Sequence, residues 1–158
     1  MSEEPFEGYT QTFIGDCDEN GNIEIIINAT QTCTVINNDN PTTILVNKTV
    51  INDNGGTLSE SDFTLKIDSN VVTDEAVNIV SAGQHTVSED VVSGYTSTIG
   101  GDCAADGTIA VAQGQAAVCT ITNDDEQSYI IINKTVVNDN GGTASPNDFL
   151  LKVDETAA

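Results

Sequence analysis

Ile44-Leu45-Val46-Asn47-Lys48-Thr49-Val50-Ile51-Asn52-Asp53-Asn54-Gly55-Gly56-Thr57 is the stretch that decides the fold. Residues 44–52 alternate in polarity and are rich in β-branched side chains, which reads as a strand with one buried face. Asn52 to Gly56 supply residues that tolerate positive φ, so the strand ends in a turn. Ile44, Val46 and Val50 share one face of that strand, and Lys48 shares it with them.

The same stretch returns as Ile130-Ile131-Ile132-Asn133-Lys134-Thr135-Val136-Val137-Asn138-Asp139-Asn140-Gly141-Gly142-Thr143, an offset of 86 residues from Lys48 to Lys134. That offset also relates Cys17 to Cys103, Cys33 to Cys119, Gly8-Tyr9 to Gly94-Tyr95 and Asn37 to Asn123, without a gap. Such self-similarity is the signature of a repeat protein. Residues 1–39 read as the C-terminal part of one repeat, 40–126 as a complete repeat, and 127–158 as the N-terminal part of the next.

Working outward through the complete repeat, strands are expected at 44–52, 63–68, 77–80, 84–91, 95–99, 108–112 and 116–123, with Gly83 and Gly114 in turns. Short strands at this spacing predict an all-β sandwich and leave no room for a helix. Composition excludes several function classes. Lys and Arg number 4 against 25 Asp and Glu, a net charge of −21, so phosphate backbones and anionic membranes are repelled. No apolar run is long enough to cross a bilayer as a helix, so no membrane insertion is expected of this segment. No signal sequence follows Met1, so a secretion signal is expected to lie outside the segment.

Each copy of the repeat's end carries two cysteines, Cys17 with Cys33 and Cys103 with Cys119. That spacing fits one disulfide per repeat, between two strands, and an oxidising location. Zinc is the competing reading, but two cysteines and the lone His85 make a poor ligand set.

Strand parity leaves three polar residues facing inward. Lys48 lies with Ile44 and Val46, Asn123 with Cys119 and Ile121, and Glu89 with Val87 and Val91. Such residues need partners or cost several kcal/mol each. A buried salt bridge of Lys48 with Glu89 is one resolution. The other is chemical. A lysine in an apolar pocket loses its proton more readily and becomes a nucleophile toward the Asn carboxamide. A neighbouring Glu in its acid form polarises that carbonyl and passes the proton to the departing ammonia. The product is an amide between first and last strands, a single-turnover reaction and not an enzyme's cycle.

A lysine in the first strand, a glutamate in a middle strand and an asparagine in the last resembles the CnaB-type (prealbumin-like, SpaA-like) domains of bacterial surface adhesins and pili. The residues that carry the resemblance are Val46-Asn47-Lys48-Thr49-Val50, Thr86-Val87-Ser88-Glu89 and Cys119-Thr120-Ile121-Thr122-Asn123-Asp124. It implies an Ig-like or prealbumin-like sandwich in which Lys48 is the nucleophile, Asn123 the electrophile and Glu89 the catalytic acid. The offset carries these roles to Glu3 and Asn37 at the front and Lys134 at the back. Either chains meet head to tail and bond Lys134 of one molecule to Asn37 of another, a contact that builds filaments, or the segment is a stretch of a longer array cut at an arbitrary phase. The cysteine pair is an addition to the family pattern.

Weaker signals remain. Asp16-Cys17-Asp18-Glu19-Asn20-Gly21 places oxygen ligands Asp16, Asp18 and Asn20 as at the start of a calcium loop, but the distal Glu is missing, and a polar turn is favoured. Asn28, Asn47 and Asn133 open N-glycosylation sequons. No cofactor is expected, calcium being the candidate ion if there is one. The expectation is a structural subunit of an extracellular, cell-surface stalk or filament whose partners are neighbouring copies of the same repeat. The alternative is an adhesin module whose loops bind a surface or matrix ligand. Nucleic acid is excluded as a partner by charge.

Overall fold

The computed structural model describes residues 1–154 and 156–157. It consists of two units, Met1–Gln127 and Ser128–Ala158. The first unit opens with a hairpin, β1 (Tyr9–Gly15) against β2 (Cys33–Asp39). The sandwich follows: β3 (Thr42–Ile51), β4 (Leu65–Ile67), β5 (Asn70–Val72), β6 (Val77–Val80), β7 (Gly83–Glu89), β8 (Tyr95–Gly101), β9 (Thr108–Val111) and β10 (Ala116–Asp125). The only helical pieces among the described residues are two 3-10 turns, Glu60–Asp62 and Pro146–Asp148.

One sheet has the order β6-β3-β10-β8 and the other β5-β4-β7-β9. Every pairing is antiparallel except one: β3 and β10, the first and last strands of the sandwich, run parallel side by side. Alternate residues of each sheet face the interior, as a period of two requires. Ile44 and Val46 of β3 and Ala117, Cys119 and Ile121 of β10 pack with Leu65, Ile67, Val87, Ile109 and Val111 of the opposite sheet. Phe63 is also buried, although it lies outside any strand, at the end of the Glu60–Asp62 turn.

Two expectations need correction here. The strand expected over 84–91 stops at Glu89, because its neighbour β4 begins at Leu65, which pairs with Glu89. Val91, placed inward by parity, is 96% exposed. The strand expected over 63–68 is shorter, and β5 was not foreseen. Asp68 and Ser69 both take positive φ (49° and 69°), which closes a two-residue hairpin between β4 and β5.

The β1–β2 hairpin has the register of β8–β10: Tyr9 opposes Asp39 as Tyr95 opposes Asp125, and Gly15 opposes Cys33 as Gly101 opposes Cys119. Cys17–Cys33 and Cys103–Cys119 are disulfides, each spanning 16 residues. Cys119 and Cys33 sit on strands, whereas Cys103 lies in the bend after β8 and Cys17 forms an isolated β-bridge with Ile23 after β1, a correction to the expectation of strand-to-strand bridges. In the second unit β11 (Lys152–Val153) pairs with β12 (Thr156–Ala157). Residues 130–137, the counterpart of β3, form no strand there, and Ile130 and Ile131 are 77% and 84% exposed.

His85 is buried on β7. Its Nδ1 lies 2.6 Å from Asp68 Oδ2 and its Nε2 lies 2.8 Å from the Ser81 carbonyl. Both ring nitrogens face acceptors, the arrangement of a doubly protonated imidazolium. The Asp68 hydrogen bond, followed by the Ser81 carbonyl, raises its pKa above the ordinary 6.5.

Two measurements test this architecture. Replacing Cys103 and Cys119 together by Ser is expected to lower the unfolding free energy by about 3 kcal/mol in urea titrations. For His85 the folded pKa is raised, so its contribution is complete below pH 6.5 and is lost as pH climbs through the folded value. Thermal midpoints should therefore fall across that window in the native chain, and a His85→Gln chain should lack that fall.

Candidate functional site

Lys48 reaches its position because β3 alternates: Ile44, Val46 and Lys48 point the same way, into the sandwich. In the parallel ladder Lys48 opposes Ile121 and Val50 opposes Asn123, so Lys48 and Asn123 are diagonal neighbours on the inner face. Glu89 enters from the end of β7 in the opposite sheet. Beyond the reach of β6, Asp74 accepts the Lys48 backbone N–H (2.7 Å) and Glu75 N–H donates to the Val46 carbonyl (3.0 Å), covering the strand's edge.

The three side chains meet. Lys48 Nζ donates to Asn123 Oδ1 (2.8 Å), and Asn123 Nδ2 donates to Glu89 Oε1 (2.6 Å). The Lys48 side chain is 0% exposed and that of Glu89 6%; Asn123 is 1% exposed. Nζ also donates to the Thr49 carbonyl (3.0 Å) and stands 4.2 Å over the Phe63 ring. Glu89 Oε2 is 3.9 Å from Nζ and is buried without a hydrogen-bond partner. Burial lowers the Lys48 pKa below the ordinary 10.5, against the opposing pull of Glu89.

This orientation of the carboxamide is the one the donors dictate. An ammonium has no acceptor to offer, so the oxygen turns to Lys48 and the NH₂ group to the carboxyl. Glu89 thus meets the amide nitrogen and not the carbonyl that it was expected to polarise, because Lys48 takes the carbonyl oxygen. A cleft of about 260 Å³, lined in part by Val87, Glu89, Tyr95, Ile99 and Asn123, opens beside the carboxamide.

The partial repeats carry matching halves of this arrangement. Asn37 Nδ2 donates to Glu3 Oε1 at 2.8 Å, as Asn123 does to Glu89, but this pair is exposed. Lys134, within the second unit, stands 4.2 Å over the Phe149 ring, as Lys48 does over Phe63.

Two oxygens of the residues named as a calcium set, Asp16, Asp18 and Asn20, are engaged by the backbone. Asp18 Oδ1 accepts from the N–H groups of Asn20 (2.9 Å) and Asn22 (2.8 Å), and Asp16 Oδ2 from Thr32 N–H (2.8 Å). Asp102 holds Val118 N–H in the same way (2.8 Å), so this aspartate brackets the turn beside each disulfide. Asn28 and Asn133 are exposed, and Asn47 is half-buried on the outer face of β3.

Sequence reasoning passed over Asp125, which is buried at the end of β10. Its carboxylate accepts from the N–H groups of Asp53 (2.9 Å), Asn54 (3.0 Å) and Gly56 (2.5 Å). The signal was available, since Asp39 follows Asn37 and Asp125 follows Asn123 by two positions.

No curated protein and no solved structure matches the chain. A family model described as prealbumin-like fold domain matches residues 39–121, which include Lys48 and Glu89 and stop two positions short of Asn123. With an all-β sandwich in that same stretch, the chain belongs to the prealbumin-like fold domain family.

Proposed function

We propose that this chain is a structural segment of an extracellular stalk or filament, a row of sandwiches each welded by a Lys–Asn isopeptide bond and a disulfide. The observation that carries the reading is the buried relay of Lys48, Asn123 and Glu89, at 2.8 and 2.6 Å.

In the reaction, Lys48 passes its ammonium proton to the Glu89 carboxylate, whose Oε2 is 3.9 Å away, and the neutral Nζ attacks Asn123 Cγ. The Nζ–Cγ bond forms and the Cγ–Nδ2 bond breaks. Glu89 takes the proton that the attacking nitrogen sheds and delivers one to Nδ2, which leaves as ammonia through the adjoining cleft. Nothing is oxidised and no co-reactant is needed. The lowered Lys48 pKa eases release of its proton, and the contact of Nδ2 with Glu89 places the carboxyl where it can hand a proton to the departing nitrogen.

The topology gives this bond its purpose. In a row of domains, tension enters near β3 and leaves near β10, which lie side by side. A covalent link from Lys48 to Asn123 carries the load across that pair and leaves residues 49–122 out of the force path. The disulfides and the disulfide-rich, surface-exposed habit of such small domains favour an oxidising, extracellular setting.

The half-sites at Glu3–Asn37 and Lys134 extend the same chemistry to neighbouring repeats. Joining them between separate chains would leave out the counterparts of residues 73–86. Those counterparts include β6 and the first half of β7, which lies between β4 and β9. The array, rather than a joint between chains, is therefore the centre of the proposal.

Intact mass under denaturing, reducing conditions tests it. The native chain is expected to weigh one ammonia less than its sequence, and Lys48→Arg, Asn123→Ala and Glu89→Gln chains to keep the full mass or react at least roughly 100-fold more slowly. An unaltered native mass after prolonged incubation of folded protein would sink the cross-link. The rate should rise with pH as Lys48 deprotonates and level off below pH 10.5. A rate that keeps climbing beyond that point would mean a solvent-exposed amine.

A further inference from the structure

The turn after β3 and the aspartate that ends β10 form a second meeting of these two strands, remote in sequence and adjacent in space. Asp125 Oδ1 accepts from Asp53 and Asn54 N–H, and Oδ2 from Asn54 and Gly56 N–H. Asn54 Nδ2 returns a bond to the Asp125 carbonyl (3.0 Å). Consecutive N–H groups converging on one carboxylate make a nest for an anion. Burial opposes the charge of Asp125, yet the N–H groups of Gly56, Asn54 and Asp53 outweigh it and hold its pKa below 3.8.

Gly56 is required by space here, because a Cβ would strike the Tyr95 hydroxyl and lie 2.8 Å from both Asn52 Oδ1 and Asp125 Cβ. Tyr95 ties the turn to the reactive centre. Its hydroxyl donates to Asn52 Oδ1 (2.6 Å) and accepts from Leu58 N–H (3.2 Å). Its ring meets Phe63 edge to face (5.4 Å), and Phe63 is the ring beneath Lys48 Nζ.

We infer that Asp125 is a positioning residue for the cross-linking step: gripped by the Asp53–Gly56 turn, it fixes the register of β10 on β3 and so aims Asn123 at Lys48. The physical need is plain. A parallel pair has no connecting hairpin turn to set its register, and a slip of one residue would turn Asn123 outward. Asn123 lies two residues before the gripped carboxylate and Lys48 five residues before the turn's first N–H donor. The turn itself is built locally. The second unit reproduces it with Asn138 Nδ2 donating to Ala144 O (2.9 Å) and Asn140 Nδ2 to Asp139 Oδ1 (2.8 Å), as Asn52 and Asn54 do in the first. The turn therefore keeps these two bonds where no final strand pairs beside it.

The inference rests on the proposed isopeptide bond, and the test separates the two. Full-length chains are refolded, and ammonia loss is followed by intact mass at a temperature where circular dichroism shows each to be folded. Asp125→Asn is expected to react at least tenfold more slowly than the native chain. Ile109→Val, a core change distant from the turn, lowers the thermal midpoint without slowing the reaction. Asn54→Ala, which removes only the side-chain arm of the grip, is expected to slow it about threefold and decides the matter alone should Asp125→Asn not fold. A native chain that loses no ammonia overturns the cross-link. A native chain that reacts, beside folded Asp125→Asn or Asn54→Ala reacting equally fast, overturns the positioning role. So does an Ile109→Val chain slowed as much as Asp125→Asn, because destabilisation alone would then account for the rate.

Discussion

The structure depends on the burial of one ammonium group between two parallel strands. Taking a lysine out of water costs several kcal/mol unless its donors are matched. Lys48 meets that demand with the Asn123 oxygen, the Thr49 carbonyl and the Phe63 face, while the nearest carboxylate oxygen stands off at 3.9 Å. This set is good enough to hold the side chain in place, yet burial still lowers its pKa below the ordinary 10.5. Conversion to an amide would remove the buried charge altogether. On the proposed reading, the cost of burial is thus relieved by the very bond it promotes, with the folded sandwich as the reagent.

Around that centre the fold uses side chains to seize backbone groups at fixed points. Asp102 holds Val118, Asp125 holds the Asp53–Gly56 turn, Asp74 holds the edge of β3, and Asp68 holds Thr86 and His85. An acidic chain with 4% aromatic residues and no Trp has little apolar volume to define its packing. A core built largely of Ile, Val and Ala is small, and small cores leave stability marginal. Aspartate-to-backbone bonds and disulfides supply the definition that bulkier side chains would give elsewhere. The net charge of −21 is partly a consequence, since several of these carboxylates serve as structural acceptors.

Much of this was legible in the sequence because strands announce themselves by alternation. β3, β6 and β10 lie within a few residues of expectation, and the inward parity of Lys48, Glu89 and Asn123 follows from the same period of two. What escaped was set by neighbours. Val91 follows the pattern of Val87 and Glu89, yet no residue of β4 lies beyond Leu65 to extend the ladder. β5 exists because Asp68 and Ser69 turn together at positive φ, a conformation their identities permit without requiring. His85 and Asp125 looked ordinary because their partners, Asp68 and the residues 53–56, are far along the chain.

The two copies of the β3 sequence make the sharper point. Residues 44–51 and 130–137 are identical at five of eight positions and exchange only Leu, Val and Ile at the other three. The first copy is a buried strand and the second is an exposed segment without strand structure. Local propensity is the same in both, so propensity does not decide the outcome. The difference is β10, which offers the first copy a row of backbone acceptors and donors and an apolar face. A lysine in such a segment has an ordinary environment until a final strand arrives beside it. The meeting of Lys48, Asn123 and Glu89 is therefore a product of strand pairing, assembled only when β10 comes to lie beside β3. That coupling makes closure of the sandwich the condition for the proposed bond, and it confines the chemistry to domains that have already folded correctly.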